Sequence, residues 1–176
     1  VGFDGPAHGK SEGRSTNIVE FEAVLRTLYE TIGVPEGIIA HSFGGAAALF
    51  AAMNGLPVKK LINIATPTIG DEIINTYLKT INGSPATGRS FKTYILKTTG
   101  KPFEEFTAIH FITTMKQDID LLLVHDEDDP EVSIHQAVAL ARLYPKAVLF
   151  KTRGLGHTRI LKDEQVIKRC VAYIKG

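Results

Sequence analysis

The sequence holds one cysteine, no block of like charge and no long apolar run, and each shortage removes a class of protein. Cys170 has no second cysteine to pair with, so a disulfide-stapled scaffold is excluded. No uninterrupted apolar stretch reaches the roughly 18 residues that a membrane span needs, and no charged-then-apolar leader opens the chain. Twenty Lys and Arg against 19 Asp and Glu leave a net charge of +1, too little for a phosphate-neutralising surface. The expectations are a cytoplasmic setting with neither nucleic acid nor membrane as a partner. The first residue is Val1 rather than Met, in the middle of an apolar-then-Asp sequence, so the natural amino terminus is expected to lie upstream.

What is present fits one folded unit. The 176 residues, 44% hydrophobic and 22% charged, match a single domain at the usual rate of about 100 to 200 residues each. Asn17 to Ile32 puts Ile18, Phe21, Leu25, Leu28, Tyr29 and Ile32 on one helical face, with Asn17 and Glu20 spaced as a capping box and Gly33 at the end. Gly37 to His41 is a short apolar strand that feeds a tight turn, and Ala46 to Met53 is a helix apolar on every side. Leu61 to Ala65 closes a unit of βαβ length, which requires parallel strands and right-handed winding.

The stretch 67–115 breaks the alternation with Gly83, Pro85, Gly88, Gly100 and Pro102, and reads as an insertion. Leu121 to His125 is the next strand. Ser133 and Gln136 cap a helix bearing Ile134, Ala137, Val138 and Ala141, and Ala147 to Lys151 is a further strand. Asp163 caps a last helix with Val166, Ile167, Cys170, Val171 and Ile174 as its stripe. Strand and helix alternate throughout, so the fold class is α/β with a mainly parallel sheet.

Ser42 lies between a strand end and a helix start, with small Ala40 two residues before it and Gly44 two after. A sharp turn there strains the backbone, lifts the hydroxyl above the sheet and leaves room only for small neighbours. The first helical amide, Phe43, would point at an oxyanion developing on a substrate carbonyl. An acidic cluster, Asp126 to Asp129, invites a metal reading with His125 and His135 nearby. An EF-hand needs Gly at its sixth position, where this chain has Glu131, and a solvated loop explains the cluster better. Gly5, Gly9 and Gly13 lack the strand and helix that a dinucleotide loop requires. His8, His41, His110 and His135 are read as hydrogen-bonding or surface residues, His41 also as a residue that could line a pocket beside the nucleophile, and Cys170 as buried and inert.

At these residues the sequence resembles the α/β-hydrolase superfamily. Ala40-His41-Ser42-Phe43-Gly44 is similar to its Gly-x-Ser-x-Gly nucleophile elbow, with Ala for the first Gly. Phe3 to Ser11 resembles the family's Asp-x-x-Gly-His-Gly-x-Ser loop, with Ala7 where Gly is commoner. His125 to Val132 resembles His-Gly-x-x-Asp-x-x-Val, with Asp126 in place of Gly, and Gly154-Leu155-Gly156-His157 resembles Gly-x-Gly-His. The resemblance implies a triad of Ser42, Asp129 and His157 in the chain order of this fold. Asp126, Glu127 and Asp128 lie close enough that a one-turn shift of the loop would present a different carboxylate, and Asp126 is the substitute acid.

It further implies an acyl-enzyme, a small-molecule ester or thioester substrate, no metal or organic cofactor, and 67–115 as a cap within the domain. The competing expectation is a catalytically silent member that binds a ligand or partner. The likeness begins at the family's fourth strand, so strands one to three, the second oxyanion amide and roughly 50 to 80 further residues are expected upstream. If the chain stands alone, Gly37 to His41 is an unpaired edge, and dimerisation through it is the expectation.

Overall fold

Alternation of apolar side chains between the two faces of each strand decides the layering. The computed structural model describes residues 1–176. Four strands, β1 (Ile38–His41), β2 (Lys60–Ile64), β3 (Asp120–Asp126) and β4 (Val148–Thr152), pair in chain order and all in parallel. Parallel pairing demands long crossovers, and each carries helix. Helix α1 (Ile18–Ile32) precedes β1 and α2 (Phe43–Met53) follows it. Between β2 and β3 lie α3 (Gly70–Thr80), α4 (Pro85–Thr99) and α5 (Ala108–Thr114), and α6 (Ile134–Leu143) joins β3 to β4. The chain ends in α7 (Gly156–Arg159) and α8 (Glu164–Lys175).

Leu61, Leu121 and Leu123 face one side of the sheet, where they join Phe21, Leu49, Phe111 and Leu140 in the larger core. Ile62, Ile64, Leu122 and Val124 face the other, against Ile160, Val166 and Cys170. Each such Leu, Ile or Phe contributes about 1.5–3 kcal/mol by leaving water. Gly45 to Ala52 of α2 are all buried, as an all-round apolar helix requires. No helix is long and apolar enough to cross a membrane.

Several local expectations change on folding. Asn17 caps α1 through its Oδ1, which accepts from the Val19 and Glu20 amides at 3.0 Å each. Glu20 reaches back to the Asn17 side-chain amide rather than to its backbone N–H. Ile32, in the last turn of α1, is 52% exposed, beyond the Leu25–Ala51–Leu56 contact that anchors that end. On α8 the inward stripe is Val166 and Cys170 with Tyr173 and Ile174 beside them. Ile167 and Val171 lie one residue, or 100°, further round and stay 47% and 44% exposed.

Gln136 is not part of a capping box. Ser133 caps α6 by itself, accepting from the His135 amide, while buried Gln136 Oε1 accepts from the amides of Thr68 (2.6 Å) and Ile69 (3.0 Å) and so ties down the chain after β2. The stretch 67–115 has two parts. Almost every side chain of α4 is exposed, with Gly88 its sole buried residue, whereas α5 sends Ala108, Phe111 and Ile112 into the larger core. Strand β1 forms one edge of the sheet, and its Ile39 is 52% exposed.

Candidate active site

One residue, Ser42, separates the end of β1 from the start of α2. Its φ of 52° and ψ of −125° lie where an L side chain is costly, at about 1–3 kcal/mol. The turn is held from both sides: the Ser42 amide donates to Ile64 O at 2.8 Å, continuing the β1–β2 ladder, and Ser42 O accepts from the Gly45 amide at 3.0 Å. The need for a small neighbour falls at a different residue from the one expected. A methyl on Gly44 would meet nothing within 4 Å, because that side faces a cleft, whereas a methyl on Gly45 would run into the Thr66 hydroxyl and lie 3.0 Å from the Asn63 side chain. The close approach of α2 to β2 therefore rests on Gly45.

Asp129 and His157 arrive on the loops that follow β3 and β4. Asp129 Oδ1 accepts from the Glu131 (2.8 Å) and Val132 (2.9 Å) amides, which turns Oδ2 toward His157. His157 Nδ1 donates to that oxygen at 2.8 Å, and Nε2 lies 3.1 Å from Ser42 Oγ, so it accepts the hydroxyl proton. Gly154 (φ 80°) and Gly156 (φ 67°) give the loop its left-handed turns. A Cβ at Gly156 would meet nothing closer than Pro130 at 3.7 Å, so conformation rather than space requires glycine there.

Two further histidines support these loops. His41 Nε2 donates to His157 O at 2.9 Å, and buried His125 Nε2 donates to Val132 O at 2.7 Å while lying 3.6 Å from Asp129 Oδ2. Asp126, the alternative acid, is fully buried but occupied elsewhere. Its Oδ1 accepts from the Asp128 amide, and its Oδ2 from Thr152 Oγ1 and the Leu155 amide. Of these roles the sequence signals hydrogen bonding by His41, without its partner, and marks Asp126 by the departure from Gly; His125 carries no such signal.

Charge follows from these contacts. The hydrogen bond to Asp129 raises His157 above the ordinary imidazole value, against burial and with further support from the charges of Asp129 and Glu131. Burial alone would push Asp129 up, but bonds from His157 and the Val132 and Glu131 amides outweigh it and hold the carboxyl low. Burial lowers His41 and His125, so both favour the neutral form. Burial raises the Cys170 thiol, in keeping with an inert side chain. His135 is exposed, and no group of three or more His, Cys, Asp or Glu side chains is arranged to hold a metal ion.

Ser42 opens on a cleft of about 450 Å³ whose lining includes Phe3, His8, Phe21, Ile39, Phe43 and His157. The loop before α1 shapes one wall. Asp4 accepts the Lys10 amide, Ser11 Oγ donates to Asp4 O, and Ala7 holds a φ of 57°. His8, expected as a surface or hydrogen-bonding residue, is exposed and bonds Pro6 O, and it also stacks on Phe43, with Phe21 edge-on to both.

The fold recurs among solved structures. The esterase Pf2001 of Pyrococcus furiosus superposes with a TM-score of 0.66 at 19% identity, over 98% of this chain and 66% of that one. The esterase EaEST of Exiguobacterium antarcticum gives 0.67 at 17% over 98% and 80%. The esterase domain of a Rhodothermus marinus protein gives 0.58 at 26% over 85% and 62%. This chain thus spans just under two thirds of the Pyrococcus esterase. No curated protein matches it by sequence. Residues 84–175 match the family of TAP-like proteins, and with the parallel sheet and elbow described above the chain belongs to that family, within the α/β-hydrolase superfamily.

Proposed function

We propose that the protein is a serine hydrolase that cleaves a small carboxylic ester or thioester, with Ser42 as nucleophile, His157 as base and Asp129 as the acid that orients the base. One observation carries the reading: the unbroken chain Ser42 Oγ to His157 Nε2 (3.1 Å) and His157 Nδ1 to Asp129 Oδ2 (2.8 Å). His157 takes the Ser42 proton as Oγ attacks the carbonyl carbon, while Asp129 holds the tautomer and stabilises the imidazolium. The Phe43 amide, among those a helix start leaves without an intrahelical acceptor, donates to the oxyanion.

Collapse of the tetrahedral species transfers the proton from His157 to the departing alkoxide or thiolate and leaves the acyl group on Ser42. Water then gives its proton to His157 and attacks the acyl carbon, releasing the acid and restoring Ser42. The cleft of about 450 Å³ suits a small acyl group.

The test is covalent labelling by a fluorophosphonate, followed by p-nitrophenyl esters and acyl-thioesters of graded chain length. Labelling of the wild type but not of Ser42→Ala is expected. Absence of labelling in both, with no turnover of any ester, refutes the proposal.

A further inference from the structure

Asp126 stands where the superfamily resemblance would put glycine, at the last position of β3, and its side chain is wholly shut off from water. A carboxylate is costly to bury unless its oxygens are bonded. Here they are, and by groups from two different loops. Oδ1 accepts the Asp128 amide at 3.1 Å, one residue before Asp129. Oδ2 accepts Thr152 Oγ1 at 2.7 Å, at the end of β4, and the Leu155 amide at 3.1 Å, two residues before His157. Nearby, the Glu127 amide donates to Thr152 O at 2.8 Å and the Gly154 amide to Asp128 Oδ2 at 3.1 Å, so the same two loops are bonded again on the exposed side.

We propose that Asp126 is a positioning residue for the reaction, a buried carboxylate that fixes the loop of Asp129 against the loop of His157 so that imidazole and acid stay in line with Ser42. The inference rests on the hydrolase reading above. Glycine at 126 would leave the loops joined only by the contacts on the exposed side, whereas aspartate adds one bond to the loop of Asp129 and two to the segment that leads to His157. Both loops depart from adjacent parallel strands, so a small change in that spacing acts directly on the 2.8 Å contact between His157 and Asp129. Asp126→Asn puts an amide NH2 where an acceptor is needed. Thr152→Val removes one donor at nearly the same volume, and Thr152→Ser keeps the hydroxyl.

The experiment measures two quantities in each folded variant: the fluorophosphonate labelling rate at Ser42, and the titration midpoint of His157 by NMR. Groups facing His157 include Asp129 and Glu131 from the loop after β3, His125 from β3 and His41 from β1, all unchanged by these substitutions. Asp126→Asn is expected to slow labelling 10-fold or more and to lower the His157 midpoint toward its ordinary value. Thr152→Val does so less strongly, and Thr152→Ser stays near wild type. Should Asp126→Asn not fold, the Thr152 pair carries the comparison. Wild-type rate and midpoint in every folded variant overturn the positioning role. A wild type that never labels refutes the hydrolase proposal, and the midpoints then decide the loop geometry by themselves.

Discussion

Gly45→Ala tests the architecture of the elbow independently of any chemistry. A methyl at this position meets the Thr66 hydroxyl head-on and lies 3.0 Å from both Cγ and Oδ1 of Asn63. In an ordinary helix the change would stabilise by about 0.5–1 kcal/mol, because glycine loses more backbone entropy on folding. Here it must displace Thr66, a β-branched side chain whose χ1 is restricted, or lift α2 off β2. Overpacking of this kind costs about 1–3 kcal/mol, so the net expectation is a loss of about 1–2 kcal/mol. With a urea m-value of about 2 kcal/mol/M, the unfolding midpoint falls by about 0.5–1 M. Thr66→Ala alone removes a buried hydroxyl that has no hydrogen-bond partner, and so costs little on the polar side. Gly45→Ala with Thr66→Ala then recovers most of the loss, a coupling of about 1–2 kcal/mol across the cycle. A single mutant as stable as wild type, or a double mutant no better than the sum of the singles, refutes the packing argument.

Asp129→Asn should cut kcat/KM for an activated ester by about 10⁴-fold, because an amide stabilises the wrong tautomer of His157; steady-state kinetics on the folded variant checks this. Activity should fall as pH drops through a His157 midpoint above the ordinary value of about 6.5, since the base must be neutral to accept the Ser42 proton. Stability has the opposite sense. Folded His157 holds its proton more tightly than unfolded, so its contribution is full below about pH 6.5 and is lost as pH rises through the raised midpoint, which urea unfolding across pH in wild type and His157→Gln resolves. Phe111→Ala, at a fully buried position in the larger core, should cost about 3–5 kcal/mol in the same assay, without altering the distances at Ser42.

The legible parts were those fixed by local pattern. Continuous apolar runs mark all four strands, period-3.6 hydrophobicity marks α1, α6 and α8, and the strand–Ser–helix context with its small neighbours singles out Ser42. Asp129 and His157 are implied only by the resemblance of their loops to the superfamily's motifs, and the fold brings both within bonding distance of one another. What stayed hidden depends on which groups meet across the sheet. Gln136 has the spacing of a capping residue, yet it serves amides 67 and 68 residues away. Gly44 and Gly45 are alike as letters, and the side chains of Thr66 and Asn63 lying against the second make it the tight contact. Ile167 and Val171 match the apolar period of α8, yet they sit one step round from the face that reaches the sheet. His41 reads as a hydrogen-bonding residue that lines a pocket, and it does line the cleft, but its acceptor, His157 O, lies 116 residues away, and the bond from His125 to Val132 O depends on how the loop after β3 turns back.

The three groups in line leave the sheet from β1, β3 and β4, and the strand between them, β2, contributes none. The long crossover carrying α3 and α4 departs from that silent strand, pinned at its root by Gln136. Rebuilding this crossover leaves untouched the three strands that hold the line of Ser42, His157 and Asp129. Exchange of 70–106 between relatives is therefore expected to preserve those contacts, a tolerance that comes from where the chain leaves the sheet.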